Sequence, residues 1–409
     1  MWGLAAGFYL VALFHRMSLG VASIEAHDRL GLGPDAIALL SALQLGLYLL
    51  MTIPAGLAAD RIGPRRALAG GLILMAAGET IFGLAHDPAV ALAGRGLVGV
   101  GDAFIFLSVL RLAQSWFPPS RYAVMACLTG LAGALGQIGT TVPLGAALDG
   151  LGWTSTFVAT GVVTGVLAAA CLWLVRDRPG AAADPRPAAA PAHGIVRTLR
   201  LAWATRATRH GFWTHLALMG PFVAVTALWG IPWLVRAQGV DAASARALVM
   251  LAVISFAAAA PVAGLVVARR PAWRMPVLTT LAGAQALAWA AALLWPADAT
   301  PRTLIAVALC LTGAAGGASM LAFDIAREGN PAERGGSATG LANTGGFLAA
   351  VGVQLAVAGI LRLQGGGGDL QEALLVLPLL SVVGLAQMTR HARRARVAAG
   401  RPQEAVGTA

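Results

Sequence analysis

Long apolar runs recur along the whole chain, and each is long enough to cross a lipid bilayer as a helix. About 20 mostly apolar residues span the roughly 30 Å of hydrocarbon in a bilayer. Twelve such runs can be placed, at 2–25, 36–58, 67–86, 89–113, 122–148, 153–175, 211–235, 244–267, 276–296, 302–325, 336–361 and 371–389. The sequence therefore predicts an all-α integral membrane protein with twelve transmembrane helices.

Composition agrees with this class and excludes several functions. Of the 409 residues 58% are hydrophobic and only 11% are charged, whereas about a quarter of the residues of a soluble domain are charged. All 29 basic residues are arginine, so the chain lacks the lysine of an ATP-binding phosphate loop or of a Schiff base. Metalloprotease HExxH and hydrolase GxSxG patterns are also missing. We expect no enzyme chemistry, and no cofactor or metal.

The arginines also predict the orientation. With both termini inside, 20 arginines fall in inner segments and five in outer segments, as the positive-inside rule requires. We therefore expect a multi-pass protein of the cell membrane with both termini cytoplasmic. The net charge of +11 then follows from topology and contact with anionic lipid, so membrane lipid is an expected partner and nucleic acid is not.

A Pro/Ala-rich stretch at 176–194 divides the spans into six and six. We predict one six-helix bundle over 1–176, a cytoplasmic linker over 177–210 with a candidate amphipathic helix, a second bundle over 211–390 and a basic tail over 391–409. The halves share landmarks at nearly constant offset, such as Gly56 and Gly264 at the ends of spans two and eight. Duplicated six-helix units are typical of secondary transporters.

Three sequence motifs in the chain resemble those of one known family. One set of residues reproduces the pattern GxxxDRxGxRR between spans two and three, and it resembles motif A of the major facilitator superfamily: Gly56, Asp60, Arg61, Gly63, Arg65 and Arg66. Segments 95–103 and 133–145 resemble motifs B and C of that family. The resemblance implies two pseudo-symmetric bundles that alternate in access to a small-molecule substrate, in a protein expected to be a monomer. The second copy of motif A is degenerate, because Ala268 stands in place of the aspartate.

Motif A also has a physical interpretation. Asp60 is expected to accept the positive N-terminal end of a neighbouring helix and nearby arginines, and so to latch one conformation. The alternative is a loop turn whose arginines only set the topology. The glycines of motif C serve either flexing between the halves or simple packing.

Ionisable residues inside spans are the main functional signal, because they are costly in lipid. At about 1.5 Å of rise per residue, Arg16, Glu79 and Arg95 fall in one layer, and Asp102 lies two turns deeper than Arg95 on the same face. We expect Glu79 and Asp102 to form a charge network, with Asp102 the candidate for a proton whose release accompanies binding. The alternative is that all four residues form a purely structural network.

The candidate substrate-binding residues are Arg16, Arg95, Tyr48, Trp229 and Asn343. Arginine presents a planar fork of donors suited to a carboxylate or phosphate, so Arg16 is expected to hold an anionic group of the cargo. His15 points about 100° away from Arg16 around the helix and is expected to contact a neighbouring helix.

The repeat further suggests a gate. Arg111 and Asp324 occupy equivalent positions at the inner ends of spans four and ten, so opposite charges there are predicted to pair across the halves. Alternatively, Arg111 pairs with Asp60 and Asp324 with Arg327.

The expected function is secondary transport of a small organic anion or zwitterion, of the carboxylate, amino acid or peptide type, with proton coupling. A multidrug or metabolite efflux antiporter is the second interpretation, and a sensor or scaffold that transports nothing is a third.

Overall fold

A computed structural model describes residues 1–31, 34–178, 194–296, 299–364 and 369–399. Residues 179–193 of the predicted linker and 400–409 of the predicted tail lie outside the described residues. The described regular elements are helical, and the α-helices are α1 (Trp2–Val21), α2 (Ser23–Leu30), α3 (Pro34–Arg61), α4 (Pro64–Leu84), α5 (Pro88–Trp116), α6 (Pro119–Leu174), α7 (Ile195–Ala204), α8 (Arg206–Ala224), α9 (Gly230–Arg236), α10 (Ala242–Arg269), α11 (Arg274–Leu294), α12 (Arg302–Ala318), α13 (Leu321–Arg327), α14 (Gly335–Leu363), α15 (Leu370–Ala373) and α16 (Val376–Ala399).

These helices supply the predicted spans. Among the described residues, ten helices are long and apolar enough to cross a membrane alone, and the bent pair of α8 and α9 makes an eleventh. The predicted first span corresponds to α1, whose 20 residues match the bilayer thickness in length. Two spans lie within α6, which breaks at Gly152, where φ is +74°. The prediction of an all-α membrane fold is confirmed.

Helix ends follow the local sequence. Proline stands at the start of α4, α5 and α6, where its missing N–H costs nothing. Asp87 and Asp241 cap α5 and α10 by accepting hydrogen bonds from backbone N–H groups of the first turn. The short α7 lies in the segment predicted to hold an amphipathic helix, and its Thr198 and Ala202 are buried while Arg197 and Arg200 are exposed.

We call the end of the bundle where α1 begins and α3 and α5 end the linker side, and the opposite end the far side. The two halves meet closely at the linker side. There α3 packs against α14, and α6 packs against α10. Gly56 permits the first contact, because a Cβ there would lie 2.5 Å from the carbonyl oxygen of Gly336.

Candidate functional site

A cavity of about 610 Å³ lies between the halves. Its lining extends from Asp102 and Met219 to Gln354. Gln354 is 19 residues beyond the start of α14 at the linker side, which corresponds to roughly 28 Å along the helix. The contacts of α3 with α14 and of α6 with α10 close the linker side, so the cavity extends towards the far side. Its volume is within the range of small-molecule sites.

One ion pair faces this cavity. Arg16 donates from Nε to Oδ2 of Asp102 at 2.6 Å and from Nη2 to Oδ1 at 2.9 Å. The side chain of Asp102 is 1% exposed and that of Arg16 is 13% exposed. Bidentate geometry is the strong form of an arginine–carboxylate pair. It leaves the third guanidinium nitrogen, Nη1, outside the pair.

Aromatic residues from both halves hold the guanidinium in place. The Cζ atom of Arg16 lies 4.4 Å from the ring centroid of Tyr48 and 5.9 Å from that of Phe347, both within the range of cation–π attraction. The hydroxyl of Tyr48 accepts a hydrogen bond from Nδ2 of Asn343 at 3.2 Å. Asn343 is 1% exposed and stands behind Tyr48, so it positions that ring and does not itself line the cavity.

The predicted single layer of charges is in fact two clusters. Arg95 is completely buried and lies outside the cavity lining. It donates to the Ser18 hydroxyl at 3.0 Å, to Glu79 at 3.2 Å, to the backbone carbonyl of His15 at 3.1 Å and to the side-chain oxygen of Gln44.

Arg95 therefore reaches the cavity only through Gln44, which does line it. The expectation that Arg95 contacts substrate does not match this position, because its two terminal nitrogens donate to residues within the wall.

His15 completes the second cluster. Its Nδ1 lies 3.0 Å from Glu79, and its Nε2 lies 2.7 Å from the hydroxyl of Thr164 on α6. It is thus a helix-contact histidine in position, and it ties α1 to α4 and α6. The alternative of a structural network fits Glu79 and Arg95, whereas Arg16 and Asp102 belong to the cavity.

Trp229 lies at the end of a π-helical turn, Val225–Trp229, which joins α8 to α9. It is half-buried and outside the cavity lining, and its indole nitrogen has no hydrogen-bond partner among the described residues. π-Helical turns are common at functional sites, but contact between Trp229 and the cavity is absent in this conformation.

Asp60 of motif A binds the start of α14, in the other half. Its Oδ1 accepts from the backbone N–H of Gly336, and its Oδ2 accepts from the N–H and hydroxyl of Ser337, each at 2.8 Å. The Nε of Arg111 lies 3.2 Å from Oδ1. The Asp60 side chain is 1% exposed and meets the positive end of the α14 dipole, so it joins the two halves at the linker side.

Asp177 supports the motif A turn. Gly63 has φ of +85°, a conformation that favours glycine, and its neighbour Arg65 donates its backbone N–H to Oδ1 of Asp177 at 2.7 Å. Arg65 also donates from its side chain to the carbonyl of Leu172. Partial burial raises the pKa of the Asp177 carboxyl above its ordinary value, and the Arg65 hydrogen bond opposes that shift. Arg61 and Arg66 have no ion pair with a described residue.

The predicted Arg111–Asp324 gate is wrong for this conformation. Arg111 pairs with Asp60, while Asp324 pairs with Arg274 at 3.0 Å and with Arg327 at 3.5 Å. Arg111 and Asp324 therefore each pair with a residue of their own half. Both of the alternative pairs, Arg111 with Asp60 and Asp324 with Arg327, are present.

At the pseudo-equivalent interface an arginine stands in for the missing motif A aspartate. Arg327 donates to the carbonyl of Pro119 at 3.4 Å, and its Cζ lies 4.9 Å from the ring centroid of Tyr122. These contacts join α13 to the start of α6. The contact between the halves at the linker side thus includes three carboxylate hydrogen bonds on one flank and a weaker arginine contact on the other.

Sequence reasoning missed several residues of the site. Tyr9, Gln44, Phe222, Phe256 and Phe347 line the cavity. Along a lipid-spanning helix, a lining aromatic has the same pattern as a packing one, so periodicity offered no signal for the phenylalanines. Gln44 was detectable as a polar residue within span two.

Comparison with known proteins matches most of the chain to one family. The family model of the Major Facilitator Superfamily matches residues 4–353. A protein of Agrobacterium vitis named "Putative tartrate transporter" is 23% identical over 177 residues, 42% of this chain and 41% of that protein. The quinolone resistance transporter of Acinetobacter baumannii is 30% identical over 178 residues, 41% of this chain and 40% of that protein. The matches thus span about two fifths of the length of these relatives.

Solved structures show the same fold over nearly the full length. The crystal structure of FucP, a major facilitator transporter in the outward conformation, superposes with a TM-score of 0.73 and covers 95% of this chain and 98% of its own. The sequences are 14% identical, so the similarity concerns the fold.

Proposed function

Because this chain belongs to the major facilitator superfamily, we propose that it is a secondary transporter that moves a small organic anion or zwitterion across the cell membrane by alternating access. The observation that carries the proposal is the Arg16–Asp102 pair, which faces the cavity between the halves. No covalent chemistry is involved. The relative named for tartrate supports an anionic cargo.

Arg16 supplies the anion-binding group. A buried arginine in a span is costly, and here the cost is offset by Asp102 and by the Tyr48 and Phe347 rings. An anion that enters from the far side first meets Nη1 of Arg16, which lies outside the ion pair. It then competes with Asp102 for Nε and Nη2, the two nitrogens that donate to the carboxylate. Lysine lacks the planar fork and should replace Arg16 poorly.

Asp102 couples binding to a proton. From the sequence alone we expected proton release; the ion pair favours the opposite direction. When an anion takes the donors of Arg16, the displaced Asp102 carboxylate is left buried without its counter-charge, and such a group takes up a proton. Anion and proton then occupy the cavity together, and the site remains neutral.

Asp60 gives the conformational switch. We propose that the linker side is cytoplasmic, on the strength of the arginine bias, so that the cavity faces outward in this state. Release of the Asp60–α14 contact then opens the inner side while the far side closes. Both termini are cytoplasmic in this scheme.

Ligand-dependent thermal stability of the purified protein tests the anion site. A saturating ligand, at about 100 times its dissociation constant, adds about 2.7 kcal/mol to stability. We expect stabilisation by small carboxylates in the wild type and none in Arg16→Ala, whereas Arg302→Ala, at an exposed arginine on the far side, should behave as the wild type. Since Arg16→Ala leaves Asp102 unpaired, the double variant Arg16→Gln with Asp102→Asn provides a neutral pair for comparison. Equal stabilisation of wild type and both Arg16 variants would refute the anion site.

A second candidate function is efflux of drug-like molecules. The similarity to the quinolone resistance transporter and the apolar second-half wall of the cavity favour it. Stabilisation by cationic drugs, independent of Arg16, would support efflux of that kind over anion transport.

A further inference from the structure

The cavity wall is chemically divided between the two halves. The first half contributes the Arg16–Asp102 pair together with Gln44, Gln137 and two tyrosines. The described lining from the second half has no charged residue: Met219, Phe222, Val223, Thr226, Ala227, Ile231, Phe256, Phe347 and Gln354. Even Thr226 uses its hydroxyl internally, by donating to the backbone carbonyl of Phe222 at 2.8 Å.

From this division we infer that the cargo is an amphipathic monoanion, with one carboxylate-type group and an apolar, preferably aromatic, body. This inference rests on the proposed anion site and narrows it. The anionic group binds Arg16, and the body lies against the Phe222–Phe256 pair, whose ring centroids are 4.9 Å apart, and against Phe347. The Tyr48 and Phe347 rings flank the guanidinium, so an aryl group attached close to the carboxylate meets aromatic partners at once.

The charge count limits the cargo to one negative charge. Arg16 is the only cation among the described lining residues, and Arg95 uses its terminal nitrogens within the wall, on Ser18, Glu79, His15 and Gln44. A second carboxylate would therefore lie against Met219 or the phenylalanines without a counter-charge, and burying an unpaired charge is strongly unfavourable. Polyhydroxylated acids meet a related obstacle, because the second half offers few partners for their hydroxyl groups.

A matched series of acids tests this inference on the purified full-length protein. Apparent dissociation constants from thermal stabilisation are compared for acetate, butyrate, hexanoate, benzoate and 3-phenylpropionate, and for tartrate and succinate. Affinity should rise about three- to fourfold for each added buried methylene. The phenyl acids should bind at least tenfold more tightly than tartrate.

A variant of the apolar wall sharpens the test. Met219→Gln places an amide of similar size in the cavity and should weaken 3-phenylpropionate binding at least threefold while leaving acetate unchanged. Met275→Gln, a matched substitution outside the lining, should change neither.

The possible outcomes distinguish a failure of this inference from a failure of the proposed anion transport. Binding of tartrate as tight as that of the phenyl acids, still lost in Arg16→Ala, would overturn the apolar monoanion and keep the anion transporter. Binding of acids of any kind that is unaffected by Arg16→Ala would overturn both.

Discussion

Asp60→Asn should loosen the linker-side closure without unfolding the protein. The carboxylate accepts three hydrogen bonds from the start of α14 and pairs with Arg111. The amide retains one acceptor oxygen and turns an N–H donor towards the helix. Hydrogen bonds to charged groups contribute about 1.5–3 kcal/mol each. A loss of about 3 kcal/mol from the closed state is therefore expected, equivalent to a roughly 150-fold shift towards opening.

Two native cysteines report this opening. Cys127 is fully buried where α6 meets α10, against Gly264 of the other half. Cys171 is equally buried but within the first half, where its Sγ lies 3.8 Å from the carbonyl of Arg65. If the halves separate as rigid bodies, Cys127 becomes accessible and Cys171 does not. Maleimide alkylation in detergent, followed at each cysteine by mass spectrometry, measures both rates.

We expect Asp60→Asn to accelerate alkylation of Cys127 by up to about two orders of magnitude and to leave Cys171 unchanged. Asp241→Asn is the matched control, because Asp241 also caps a helix, by accepting from Ala243 and Ser244, but within one half. Because asparagine caps a helix about as well as aspartate, this variant should keep its stability and leave Cys127 protected. An unchanged Cys127 rate in Asp60→Asn, or equal acceleration at both cysteines, would refute the latch.

Three further predictions follow from individual contacts. Gly56→Ala should also accelerate alkylation of Cys127, because its Cβ would lie 2.5 Å from a carbonyl oxygen of the other half, whereas Gly70→Ala, where a Cβ meets nothing within 4 Å, should not; equal rates would contradict the close approach. Glu79→Ala leaves a fully buried arginine unpaired and should cost about 3–5 kcal/mol, seen as a large fall in melting temperature, and a fall of only a degree or two would argue against the buried cluster. Asp177→Asn should flatten the dependence of melting temperature on pH as the pH rises above about 4, the ordinary pKa of an aspartate. The folded wild type keeps a proton that the unfolded chain releases in this range, so its stability falls as pH rises, and an equally steep variant would show that another group titrates.

The spans and the motif A turn were predictable because they depend on local features. Twenty apolar residues predict a span wherever they occur, and Gly63 with its neighbours marks a tight turn. The partner of Asp60 was predictable only as some helix N-terminus, because its identity depends on how α3 packs against α14 in the other half.

The buried charges show where sequence reasoning stops. Rise per residue estimates depth along each helix, and Glu79 and Arg95, which were expected in one layer, do contact each other. Depth carries no information on which neighbour a side chain faces. Arg95 therefore lies in the wall instead of the cavity. The Arg111–Asp324 gate failed for the same reason, because equivalent positions in a repeat need not face each other.

The most direct test of the account counts protons taken up when an anion binds. Calorimetry of 3-phenylpropionate binding in two buffers of different ionisation enthalpy yields this number for the wild type and for Asp102→Asn. The ion pair between Arg16 and Asp102 predicts an uptake of about one proton per bound anion in the wild type. In Asp102→Asn, whose side chain is neutral, binding should persist without uptake. Binding to the wild type with no proton uptake, or the same uptake in the variant, would contradict the coupling of Arg16 to Asp102.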